Sequence, residues 1–144
     1  PGEYDLDNAL ADAERTVELA DYNAVSFLLR GKVHGRRGDY EAALEDLNRA
    51  IDMASDMAWT YVERGYVYGL MDNFEAARSD YVKAIELDPN DLWPYAALGD
   101  LLYENGRRRE ALIAYRSYLE RAGEEEAMDY VRQRVAELSR NSGG

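Results

Sequence analysis

Apolar residues recur along this chain at intervals of three and four, the pattern of amphipathic α-helices rather than of β-strands. Near the C-terminus, for example, Met128, Val131, Val135 and Leu138 are spaced three, four and three and fall on one helix face. Turn-forming residues separate such stretches at Gly38-Asp39, Met71-Asp72-Asn73 and Asn105-Gly106. The pattern therefore predicts an all-α chain of short helices joined by tight turns.

The same residue types also return every 34 positions. The aligned sets are Phe27, Tyr61 and Tyr95; Gly31, Gly65 and Gly99; Ala43, Ala77 and Ala111; and Ile51, Ile85 and Leu119. A fixed period of about 20 to 50 residues is the signature of a repeat architecture. We predict three helix hairpins at residues 24–57, 58–91 and 92–125, a preceding half repeat at 5–20, and a capping helix at 126–140.

Small residues at fixed positions of each repeat predict where its helices cross. A glycine inside a helix costs about 0.5–1 kcal/mol relative to alanine, so we expect a close helix approach to compensate at Gly31, Gly65 and Gly99. Further along the chain, Asp72 and Glu75 have the spacing of a capping box that would begin the second helix of repeat two.

These motifs resemble those of the tetratricopeptide repeat family. The segment Gly38-Asp39-Tyr40-Glu41-Ala42-Ala43-Leu44 is similar to the family's middle motif, and Ala84-Ile85-Glu86-Leu87-Asp88-Pro89-Asn90 is similar to its ending. The resemblance covers about residues 5–125 and implies a right-handed superhelical solenoid of antiparallel helix hairpins. Ser55 and Gly123 stand where the family usually has proline. Because the chain begins inside a repeat, we expect it to be a fragment of a longer protein.

The resemblance also implies that the first helix of each repeat lines a concave groove. Its residues would be Val25, Leu28, Leu29, Lys32, Gly35 and Arg36 in repeat one, Trp59, Val62, Glu63, Tyr66, Gly69 and Leu70 in repeat two, and Trp93, Ala96, Ala97, Asp100, Tyr103 and Glu104 in repeat three. Other residues fill the core positions, so Trp59 and Trp93 are available for a partner. The alternatives are that each indole packs on a neighbouring repeat or lies under a further segment.

The net charge of the chain excludes some classes of binding partner. The net charge of −12 would repel nucleic acid and anionic membranes. Within the groove, Lys32 and Arg36 lie toward one end and the acidic residues Glu63, Asp100 and Glu104 toward the other, which suits a peptide of mixed charge. Family members that clamp a chaperone's C-terminal carboxylate use Lys, Asn and Arg. Here those positions hold Leu28, Glu63, Trp93 and Ala97, so we do not expect that ligand.

Catalytic motifs are missing from the sequence. It has no cysteine, no glycine-rich phosphate loop and no metal-binding histidine pair. We interpret His34 as a packed helix-face residue, Glu124-Glu125-Glu126 as a helix start, and Arg107-Arg108-Arg109 as a solvated or ion-paired turn. We therefore predict no enzyme activity, no cofactor and no metal.

The prediction is thus a protein-interaction module that binds a partner peptide in its groove, in the cytoplasm. One alternative is self-association through an exposed apolar face of the half repeat, formed by Leu6, Leu10 and Val17. Another is a regulatory arm of a larger enzyme or sensor.

Overall fold

The computed structural model describes residues 5–19 and 23–140, with the backbone alone for residues 124–126. Every regular element in this part of the chain is an α-helix, so the predicted all-α class is confirmed. The elements are α1 (Leu6–Leu19), α2 (Ala24–Arg37), α3 (Tyr40–Met53), α4 (Ala58–Leu70), α5 (Phe74–Leu87), α6 (Trp93–Glu104), α7 (Arg108–Glu126) and α8 (Asp129–Arg140). The last residue of the predicted half repeat, residue 20, lies outside the described residues.

The chain divides into two compact units, an N-terminal unit of Pro1–Asp80 and a C-terminal unit of Tyr81–Gly144. In the N-terminal unit, α2 and α3 form a hairpin that packs against α1 and α4. Its core consists of Val17, Phe27, Leu28, Ala43, Leu47, Ala50 and Val67. In the C-terminal unit, α6 and α7 pair and α8 packs on α7. The largest fully buried side chain there is Tyr115.

Glycines mark the helix crossings, as predicted, at Gly31 and Gly99. A Cβ atom at Gly31 would lie 2.9 Å from Leu47 Cγ and 3.2 Å from the Ala43 carbonyl oxygen. A Cβ atom at Gly99 would lie 2.5 Å from Cε1 of Tyr115. At Gly99 the close neighbour is this aromatic ring, so the absence of a side chain on α6 makes room for a large one on α7.

The start of α5 differs from the predicted capping box. Asp72 adopts a left-handed backbone with φ 56° and lies in the turn, and the helix begins at Phe74. Asn73 is the capping residue, because its Oδ1 accepts a hydrogen bond from the Ala76 N–H at 3.4 Å. The prediction that Asp72 and Glu75 form a capping box is therefore wrong, because the cap lies one residue later and alanine occupies the third helical position, Ala76.

The helix α1 does not present the apolar face on which self-association was predicted. Val17 is buried in the core of the N-terminal unit, beside residues of α2 and α3, and Leu6 and Leu10 are partly covered. The expectation that Val17 is exposed is wrong, because α1 packs against the hairpin of its own chain.

The acidic run at residues 124–126 precedes the last helix instead of beginning it. Gly123 has φ 72° and ψ 169°, which kinks α7, and Ala127 is extended. The last helix starts only at Asp129. The acidic run is itself helical and follows the kink at Gly123, as a helix start would, whereas the predicted capping helix at 126–140 begins three residues later, at Asp129.

A tyrosine hydroxyl fastens the turn before α4 and, separately, the turn before α6. Tyr61 Oη donates a hydrogen bond to the Ser55 carbonyl oxygen at 3.0 Å. One period later, Tyr95 Oη donates to the Pro89 carbonyl oxygen at 3.1 Å. The same local bond therefore forms whether serine or proline occupies the turn.

Candidate functional site

Two parallel stripes of side chains lie on α2 and α4 in the N-terminal unit. The stripe on α2 contains Val25, Leu29, Lys32 and Arg36. The stripe on α4 contains Trp59, Glu63, Tyr66 and Leu70. The spacing of four, three and four keeps each stripe on one helix face. These eight residues define the α2–α4 face, and all eight belong to the predicted groove.

A buried carboxylate organises the centre of the α2–α4 face. Glu63 is only 2% exposed, and its Oε1 lies 3.6 Å from Lys32 Nζ while its Oε2 lies 3.1 Å from Arg36 Nη1. A buried carboxylate is tolerated when cations compensate it, which both neighbours do here. Their side chains remain 40% and 36% exposed. Two positive charges and one negative charge leave a net charge of +1 in this cluster.

Each of these cations also contacts an aromatic ring of α4. Lys32 Nζ lies 5.6 Å from the Trp59 ring centroid, and the Arg36 guanidinium lies 4.1 Å from that of Tyr66. Both distances are in the range of cation–π attraction. Lys32 and Arg36 thus each contact both Glu63 and a ring, and the two rings remain partly exposed, Trp59 by 38%.

Further apolar surface surrounds this centre. Val25, Leu29 and Leu70 are exposed, although each is a large aliphatic residue. Exposed apolar side chains that lie close together on a protein surface often mark an interaction site. By contrast, Leu28 and Val62, which the sequence also assigned to the groove, are buried, so they form the layer beneath the face.

The predicted charge gradient is wrong in the N-terminal unit. The sequence places Lys32 and Arg36 apart from Glu63 because they lie in different repeats. The structure joins them in one ion-paired cluster, since corresponding positions of α2 and α4 lie side by side. The accessible charge on the α2–α4 face is therefore positive.

In the C-terminal unit, two predicted groove residues are already bound by other helices of that unit. Asp100 accepts hydrogen bonds from Tyr115 Oη at 2.6 Å and from Tyr130 Oη at 3.1 Å. Burial raises the pKa of the Tyr115 hydroxyl, and its hydrogen bond to Asp100 raises that pKa further. Both tyrosines therefore stay protonated and act as donors to the Asp100 carboxylate.

Tyr103 is held in a similar way by α8. Its hydroxyl donates to Glu137 Oε1 at 2.9 Å, and this hydrogen bond lowers the pKa of the Glu137 carboxyl. The Arg134 guanidinium lies 3.9 Å from the Tyr103 ring centroid and 3.1 Å from Glu137 Oε2. The side chains of α8 thus cover a surface that the sequence analysis expected to be open.

The remaining predicted groove residues of the C-terminal unit are less organised. Trp93 is 51% exposed at the start of α6, Glu104 is exposed at its end, and Ala97 is half-buried between them. Both tryptophans are partly exposed, and the Trp59 ring contacts the Lys32 ammonium group. The α2–α4 face is consequently the better-defined candidate.

The sequence analysis did not predict a repeated ion pair in which the carboxylate is buried. Arg30 donates to both carboxylate oxygens of Asp46 at 2.7 Å, and Arg64 donates to both of Asp80 at 2.8 Å. The signal was available, because both partners recur at the 34-residue period. Repeat three has Leu98 and Ala114 at the same positions, so an apolar pair replaces the ionic one there.

Other sequence candidates are structural. His34 is largely buried, with its ring nitrogens 3.7 Å and 3.9 Å from carboxylate oxygens of Asp39 and Asp46. Arg107 pairs with Glu110 at 2.6 Å. Over residues 5–19 and 23–140, no group of three or more His, Cys, Asp or Glu side chains could hold a metal ion. Within that same range, no helix has the length and apolar character needed to cross a membrane.

Comparisons with known proteins agree with this architecture. Three models of the tetratricopeptide repeat match residues 24–57, 58–91 and 81–112. A crystal structure of MamA shares 21% identity over 96% of this chain and 80% of its own, with a TM-score of 0.81. The thermophilic TPR protein TTC0263 of Thermus thermophilus shares 23% identity over 93% of this chain and 73% of its own, with a TM-score of 0.80.

A third solved structure is the first TPR of Spaghetti (RPAP3) bound to an HSP90 peptide. It shares 19% identity over 85% of this chain and 94% of its own, with a TM-score of 0.75. At these identities the likeness shows the fold. No curated protein matches the chain.

Helix hairpins that recur every 34 residues define the class of helical repeat solenoids, as predicted. The chain belongs to the tetratricopeptide repeat family. That membership places it among protein-interaction modules, a class that is typically non-enzymatic.

Proposed function

We propose that this chain is a non-catalytic module that binds a segment of a partner protein on the α2–α4 face. The observation that carries the proposal is the combination of exposed apolar side chains with two partly exposed rings that contact Lys32 and Arg36, the partners of the buried Glu63. Interface hot spots are enriched in Trp, Tyr and Arg, and all three residue types occur on this face. The RPAP3 repeat domain, which has the same fold, is bound to a peptide in its solved structure.

The dimensions of the α2–α4 face fit a short peptide. From Val25 to Arg36 the stripe rises eleven residues along α2, which is about 16 Å at 1.5 Å per residue. An extended peptide covers that length with about five residues. Because α2 and α4 already pack against each other within the N-terminal unit, little ordering of the receptor opposes binding.

A selection experiment tests this proposal. Random peptides displayed on phage are panned against the immobilised chain, and enriched peptides are synthesised. Each is titrated into a Trp93→Phe variant, in which Trp59 is the remaining tryptophan. We expect saturable changes in Trp59 emission, because a peptide on the α2–α4 face alters the environment of this indole.

Matched variants localise the binding. Leu29→Ala and Leu70→Ala remove exposed side chains of the α2–α4 face, and each should weaken binding by about tenfold. The control is Ile113→Ala, which removes a more exposed aliphatic side chain from α7. Circular dichroism checks that all variants fold. Enrichment of no peptide, or equal affinity of all three variants, would overturn the proposal.

A further inference from the structure

The charge and geometry of the α2–α4 face specify the chemistry of the partner segment. We infer that this segment carries one carboxylate side chain that binds Lys32 and Arg36, and an apolar side chain about three residues away that packs on Val25, Leu29 and Trp59. This inference rests on the proposed function and adds to it the kind of sequence that is recognised.

We infer a carboxylate in the partner because Lys32 and Arg36 have more N–H donors than the Glu63 carboxylate has oxygens. Lysine has three N–H donors and arginine has five, whereas the Glu63 carboxylate has two oxygens. The ion pairs of Lys32 and Arg36 within residues 5–19 and 23–140 are both with Glu63. Donors therefore remain on the exposed parts of both cations. Because Glu63 is buried, a cationic group placed on the α2–α4 face would meet Lys32 and Arg36 before it reached the Glu63 carboxylate.

The whole chain limits how acidic the partner segment can be. The net charge of −12 repels a strongly acidic peptide, whereas the α2–α4 face carries a local charge of +1. Lys32 and Arg36 attract one carboxylate of the peptide at contact distance. Each additional carboxylate of the peptide is repelled at longer range by the negative charge of the whole chain. A single acidic residue in an apolar segment fits this balance better than an acidic run.

The spacing follows from the order of residues along α2. Val25 and Leu29 lie toward its start, and Lys32 and Arg36 lie toward its end. Leu29 and Arg36 are separated by seven residues, as are Val25 and Lys32, which corresponds to about 10 Å along the helix. An extended peptide covers this distance in about three residues.

Blocked synthetic peptides test the inference directly. The probes are acetylated and amidated glycine–serine peptides that contain one Phe and one Glu three positions apart, in both orders. Matched peptides replace Glu by Gln or by Lys, or place it next to Phe. Binding is measured through Trp59 emission in the Trp93→Phe variant. We expect the better Glu order to bind about tenfold more tightly than its Gln counterpart, with Lys weakest, because the carboxylate makes charge-assisted hydrogen bonds.

Charge variants assign the effect to residues. Lys32→Gln and Arg36→Gln should each reduce the preference for Glu over Gln, whereas the control Lys83→Gln removes the same charge from α5 and should leave the preference intact. If Gln or Lys peptides bind as tightly as Glu peptides, or if none of these peptides binds, the inference is overturned. The proposed function is judged separately, by whether library peptides lose affinity for Leu29→Ala and Leu70→Ala.

Discussion

The partly buried pair of Arg30 and Asp46 gives a quantitative test of how this repeat is stabilised. Replacing Asp46 by alanine removes two hydrogen bonds of 2.7 Å, and hydrogen bonding to Asp46 is the main factor that raises the pKa of Arg30. A hydrogen bond to a charged group contributes about 1.5–3 kcal/mol. The Arg30 side chain is 27% exposed, so water recovers part of the loss. We expect Asp46→Ala to lower the free energy of unfolding by about 2–3 kcal/mol.

Repeat three suggests a second substitution that should restore the stability lost in Asp46→Ala. It has Leu98 and Ala114 at the positions of Arg30 and Asp46. The double variant Arg30→Leu with Asp46→Ala copies that arrangement. We expect it to cost only about 0–1 kcal/mol, because the double change removes both charges instead of leaving one without its partner.

Urea denaturation followed by circular dichroism measures both effects. In thermal melts, the single variant should lower the melting temperature by about 5–10 °C, at roughly 2–4 °C for each kcal/mol. Asp52→Ala, an exposed change on the same helix, controls for the higher helix propensity of alanine. A double variant that loses as much stability as Asp46→Ala alone would refute the reasoning.

Three further predictions concern the C-terminal unit. Gly99→Ala should destabilise the chain by about 1–2 kcal/mol in urea denaturation, because the new Cβ would lie 2.5 Å from the Tyr115 ring; a stabilised variant would contradict this. Burial raises the pKa of the Tyr115 and Tyr130 hydroxyls above their ordinary 10.0, so their contribution to stability is complete below that pH and is lost as pH rises further. Denaturation midpoints should fall above about pH 10, and less steeply in Tyr130→Phe; a midpoint that stays constant there would be inconsistent with raised pKa values of these two hydroxyls. Tyr103→Phe should raise the pKa of Glu137 toward its ordinary value, which NMR titration measures, and an unchanged pKa would exclude the hydrogen bond as its cause.

The helices and helix crossings that recur in each repeat could be predicted from the sequence. Close packing recurs where the two helices of a hairpin cross, so glycines repeated at the 34-residue period were enough to locate the crossings at Gly31 and Gly99. Local backbone choices were less accessible. The capping box failed because Asp72 adopts a left-handed conformation, which a four-residue spacing pattern cannot distinguish from a helix start.

The candidate site was only partly predictable for a different reason. The period places Leu29 and Glu63 at equivalent positions, yet Leu29 is exposed and Glu63 is buried. Glu63 is buried because Lys32 and Arg36 of the adjacent helix α2 cover it. Such coverage depends on how two helices pack together, so the sequence of one repeat does not reveal it. Tyr103 and Glu137 are also one period apart, so their pairing had a signal, but α8 carries no family motif that would have drawn attention to it.

The tyrosines that fasten the turns also have a practical consequence. The Tyr61 and Tyr95 hydroxyls bind carbonyl oxygens of the main chain, so neither bond requires a particular side chain at Ser55 or Pro89. Ser55 and Pro89 are therefore suitable positions for substitution, for example by a residue that carries a spectroscopic label. The tyrosine that donates to the carbonyl oxygen at that position must be retained.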